Sequence, residues 1–146
     1  LHKPDVAVLD INMPAGDASY KVTASFTTPI AIEITDVSPQ MHLLGKQMKV
    51  TATLPNGSTR PLIWIKDWDF NWQDQYQYDQ PIRLPKGTQL DVEAYFDNSA
   101  DNERNPHNPP VDVHFGEQTS DEMLFCPLLI TTDSDADLKT LRLEIR

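Results

Sequence analysis

Met48, Val50, Ala52 and Leu54 alternate with Lys49, Thr51 and Thr53, and the same two-residue rhythm runs through Leu90, Val92, Ala94 and Phe96 against Asp91, Glu93 and Tyr95. Successive side chains on a strand point to opposite faces, so each run predicts a half-buried strand. Leu141, Leu143 and Ile145, alternating with Arg142, Glu144 and Arg146, predict another at the C-terminal end. Pro55-Asn56-Gly57 lies between two such runs and predicts a hairpin, Asn56-Gly57 supplying the positive backbone angles of a two-residue connection. No window of about eleven residues carries a helical period, and 12 prolines interrupt the chain. Many short strands between turn signals predict an all-β fold, an antiparallel β-sandwich with jelly-roll-like topology. Residues 20–146 form its single domain. Residues 1–19 read as an extended lead-in or linker, and residues 132–137 as an acidic loop before the last strand.

Composition narrows the function. The 146 residues, 39% hydrophobic and 23% charged, suffice for one core. A net charge of −10 with a pI near 4.6 argues against nucleic acid as a partner, since phosphate recognition needs clustered Lys and Arg. No stretch approaches the ~18 apolar residues of a membrane span, and residues 1–19 carry no signal-peptide pattern. Cys126 is the only cysteine, so no disulfide forms within the chain. Its apolar setting, Leu124-Phe125-Cys126-Pro127-Leu128, predicts a buried thiol rather than a nucleophile.

Two segments carry candidate chemistry: Gln40-Met41-His42-Leu43-Leu44-Gly45-Lys46 and Thr119-Ser120-Asp121-Glu122-Met123. On a strand, residues 40 and 42 project together while Met41 faces away. An imidazole paired with a thioether suits copper, because the soft sulfur stabilises Cu(I), whereas zinc prefers thiolate or imidazole and calcium wants oxygen. These segments resemble the copper type II, ascorbate-dependent monooxygenases, the family of peptidylglycine alpha-hydroxylating monooxygenase and dopamine beta-monooxygenase, and especially their bacterial members. The likeness covers the C-terminal domain alone, from about Tyr20 to Ile130. It includes Asp69-Phe70-Asn71-Trp72-Gln73, Leu84-Pro85-Lys86-Gly87-Thr88 and Phe96-Asp97-Asn98-Ser99.

The resemblance implies an antiparallel sandwich and a copper ion held by a His-x-His pair and a methionine. His42 matches the second histidine and Met123 the methionine, while Gln40 replaces the first histidine with a weak, hard amide oxygen. It further implies C–H hydroxylation of a small organic substrate, a second copper in an N-terminal domain of the same protein, and an extracytoplasmic location. Where the peptide-amidating members carry an Arg before the histidine pair and an Asn and a Tyr after the methionine, this chain has Ser38, Phe125 and Pro127, which disfavours a peptide carboxylate. The alternative is a non-catalytic module that has lost the metal and makes protein or carbohydrate contacts.

Other constellations read as structural. Alternation places His114 on the polar side of a short strand, and His107 falls in a proline-rich loop. Trp68, Phe70 and Trp72 alternate with polar residues and predict an aromatic stripe on one strand, able to stack on sugar rings but more simply facing the core. Asp133, Asp135 and Asp137 with Glu144 mimic a calcium loop but have Leu138 where its glycine belongs. Residues 97–103 read as a solvated loop.

Overall fold

The computed structural model describes residues 7–8 and 11–144, with side chains from 11 to 143. In chain order its elements are β1 (Ala7–Val8), β2 (Asn12–Met13), β3 (Tyr20–Thr27), β4 (Ile32–Val37), β5 (Gly45–Thr53), β6 (Thr59–Ile65), β7 (Tyr76–Leu84), β8 (Gln89–Phe96), β9 (Val113–His114), β10 (Leu124–Phe125), β11 (Leu128–Thr131) and helix α1 (Asp135–Glu144). A four-stranded sheet in the order β3-β8-β5-β6 and a three-stranded sheet in the order β11-β4-β7 form the sandwich, joined by two-stranded ribbons β1-β10 and β2-β9. The paired strands are antiparallel.

The alternation in β5 and β8 works as expected. Met48, Val50 and Ala52 face inward beside Leu90, Val92, Ala94 and Phe96. They meet Ile32, Ile34, Ile82, Leu84, Leu128 and Ile130 of the second sheet in one continuous core. Ile11 and Met13, from the stretch read as a lead-in, are also buried in that core. β6 and β7 form an edge of each sheet and contain Pro61 and Pro81. The register of β6 slips beside Pro61, and that of β7 slips across the stretch that contains Pro81. A residue without an N–H is tolerated at such positions.

Several expectations need correction. The 54–58 hairpin exists, but only Gly57 has positive φ (85°), and the Leu54 amide reaches the Ser58 carbonyl. It is therefore a three-residue loop with glycine in the left-handed position, not a two-residue turn. The final strand is a helix. Ser134 caps it, its hydroxyl accepting from the Asp137 amide at 3.1 Å, and Asp135 and Asp137 complement the dipole of the first turn. Leu141 is 1% exposed and Leu143 68%, which breaks the two-residue alternation. Glu144 thus ends a helix instead of lying on the polar face of a strand, and Ile145 and Arg146 lie outside the described residues.

The acidic loop is correspondingly shorter, with Asp133 paired bidentately to Arg83 (2.6 and 2.9 Å). The 97–103 segment is not wholly solvated: Asn98 is completely buried. Its amide nitrogen donates to the carbonyls of Pro14 (3.0 Å) and Val111 (2.8 Å), tying β2 and the 98–112 loop to the sandwich.

Candidate functional site

The two segments singled out in the sequence meet, although the first is not a strand. Gln40, Met41 and His42 lie in the connection from β4 to β5, and only Gln40 joins a ladder, an antiparallel bridge to Phe125. Both of its backbone bonds form, at 2.7 and 3.1 Å. Counting on in that register aligns residue 42 with residue 123, but the ladder stops because a side chain takes over. The Glu122 carboxylate accepts the amides of Leu44 (2.7 Å) and His42 (3.0 Å), and the Met123 amide at 3.3 Å. The backbones of His42 and Met123 therefore converge on one carboxylate oxygen.

Glu122 is itself completely buried. Burial pushes its carboxyl up to about 7, against the opposing pull of the three amides. Alternation could have exposed its role. Glu122, Leu124, Cys126 and Leu128 share one two-residue phase, and the last three are core residues, so a carboxyl in that series had to find buried donors.

His42 is 8% exposed, and its ring orientation is fixed. Nδ1 lies 2.9 Å from the Asp121 carbonyl, which only accepts, so Nδ1 carries a proton and the lone pair of the neutral ring is on Nε2. Among the described residues Nε2 has no hydrogen-bond partner, and no fully buried polar side-chain atom is left unpaired, so Nε2 reaches solvent. Phe70 meets the ring edge-on, with centroids 6.0 Å apart, and the Trp68 indole N–H donates to the His42 carbonyl at 3.1 Å. Gly45 makes room for that indole, since a Cβ there would stand 2.8 Å from Trp68 Cδ1.

Gln40 lines a polar cleft of about 230 Å³ with Ser38, Pro39, Gln73, Asp74 and Gln75, a lining that includes neither His42 nor Met123. Met123 is half-buried. His114 is exposed on β9 with Nδ1 2.8 Å from the Asn12 carboxamide oxygen, His107 sits in a loop, and His2 lies outside the described residues. Among the described residues, no group of three or more His, Cys, Asp or Glu side chains is arranged to hold a metal, Asp133, Asp135 and Asp137 included.

The aromatic stripe needs correction: residues 66–75 are a loop between β6 and β7. Trp68 is 2% exposed and Trp72 73%, so only the first belongs to the core. Beside the loop is a second cleft of about 220 Å³, lined by Trp72, Tyr76, Asp67 and Asp69 among others. No protein-family model matches the chain, and no curated protein matches it.

Proposed function

We propose that this chain is an oxygen-activating copper domain of the ascorbate-dependent monooxygenase type, working with a second copper domain and carrying a site weakened by Gln40. The observation that carries this reading is the bond from His42 Nδ1–H to the Asp121 carbonyl. Histidines that ligate metals are oriented by such a bond through the other ring nitrogen, which fixes the tautomer and raises the basicity of the donor. The donor types suit a soft ion: His42 Nε2 and the Met123 thioether from the aligned segment, with the Gln40 amide, whose cleft includes neither, as a weak third. When bound, copper would supply oxygen activation for hydroxylation of a substrate C–H bond. The protein's part is to hold the imidazole, bring Met123 beside it through the Glu122 clamp, and limit water with Phe70 and Trp68. On this reading the protein acts outside the cytoplasm and needs its partner domain for reduction.

Gln40→His tests the proposal by rebuilding a two-imidazole, one-thioether site. In calorimetric Cu(I) titration its affinity should exceed that of the parent at least about tenfold. His42→Ala or Met123→Ala in that background should remove most of the gain, as ligands of one ion must. Equal affinity of parent and variant, or a gain indifferent to Met123, overturns it.

A further inference from the structure

The loop between β6 and β7 presents features that the copper reading does not use. Trp72 is the most exposed large apolar side chain among the described residues. The backbone that carries it is held: its amide bonds to the Asp69 carbonyl at 2.9 Å, and the Asp69 carboxylate accepts the Asn71 amide at 2.9 Å, a tight turn with the indole outside it. One side of the loop walls the cleft shared by Trp72, Tyr76, Asp67 and Asp69. Its continuation, Gln73 to Gln75, walls the polar cleft that contains Gln40 and Ser38.

The polar side chains here are already set. Gln73 Nε2 donates to the Phe70 carbonyl at 2.9 Å and Gln75 Nε2 to the buried Asp36 carboxylate at 2.9 Å, so each amide plane is held and has an oxygen left to accept. Neither ion pair among the described residues, Lys21–Glu93 or Arg83–Asp133, occupies Asp67, Asp69 or Asp74.

We propose that this loop is a carbohydrate-binding surface, which stacks the apolar face of a neutral pyranose on Trp72 and takes its hydroxyls on the flanking amides and carboxylates. A ring that is apolar on its faces and rich in hydroxyls at its edge matches an exposed indole bordered by planar acceptors. Carboxylates beside an aromatic face also suit an organic cation. The second cleft decides for the sugar: Gln40, Gln73, Gln75 and Ser38 outnumber Asp74 there, and neutral amides and a hydroxyl select hydroxyl groups rather than charge. Trp72 and Gln73 to Gln75 are consecutive, so one loop lines both clefts, which suits a chain of several sugars. Gln40 is the one proposed copper ligand in these clefts, and the sugar-binding surface rests on Trp72, Gln73 and Gln75, which the copper reading does not use.

The test is an NMR titration of the full chain with cellohexaose, xylohexaose, mannohexaose and chitohexaose, with tetramethylammonium as the cation probe. At least one hexaose should give saturable shifts at the Trp72 indole and the Gln73 and Gln75 side-chain amides. Trp72→Ala should weaken that binding by about tenfold or more. Trp64→Ala should leave it unchanged, because that other exposed tryptophan lies on β6 beneath Lys49 and Lys66. The absence of saturable shifts with all four sugars, undiminished binding by Trp72→Ala, or a response of Trp72 to tetramethylammonium alone overturns the proposal.

Discussion

Glu122 holds the candidate site together, and its burial makes the metal-free protein sensitive to pH. A carboxyl raised from 4.5 to about 7 binds its proton more tightly when folded, so its contribution to stability is complete below pH 4.5 and is lost as pH rises through 7. The full span is worth about 3 kcal/mol at most. Urea midpoints should therefore show the advantage of the wild type over Glu122→Gln shrinking from pH 5 to pH 7.5. An advantage that grows with pH would mean that the three amides keep the carboxylate ionised. Gly45→Ala should cost about 1–3 kcal/mol at any pH by driving a methyl into Trp68 and Met41, which thermal unfolding would register. Little of this was legible in the sequence. His42 and Met123 stand out by residue type, whereas the clamp depends on a glutamate that looks like any surface acid until its phase with Leu124 and Cys126 is noticed.

Among the elements, the central strands could be read because each buries one face only, so β5 and β8 print their orientation in every second residue. The C-terminal segment misled because three alternating apolar residues are too few to separate a strand from a helix. The deciding signal was Ser134 followed by Asp135 and Asp137, the chemistry of a helix start. The aromatic loop misled in the same way, since alternation over Trp68, Phe70 and Trp72 coincides with a turn. Asn98 shows what a loop residue can do for the elements around it. Asn98→Asp would aim a carboxylate at the Pro14 and Val111 carbonyls and should cost about 3 kcal/mol or more in chemical denaturation. Hydrogen exchange should then report early release of the Gly16 amide, which bonds to the Asn98 carbonyl.

For the molecule as a whole, an all-β sandwich follows from pattern and turn chemistry, because both act locally, whereas the one short helix departs from that pattern. Apart from the β5–β6 hairpin, which strands become neighbours does not follow, since β5 also pairs with β8, and β4 with β11 and β7, over long stretches of chain. Cys126 reports on the integrity of the whole core. It is 1% exposed, and burial pushes its thiol up to about 12. Labelling by a disulfide reagent should be roughly a thousandfold slower in native buffer than in denaturant, and rapid native labelling would reveal a core that opens locally. The prolines of β6 and β7 also govern how the protein meets other chains. These strands are sheet edges joined by the 66–75 loop, and an incoming strand at either edge would meet an interrupted row of donors and a slipped register. That flank is protected against strand addition and fibrillar stacking, so side chains rather than backbone define what it offers to its surroundings.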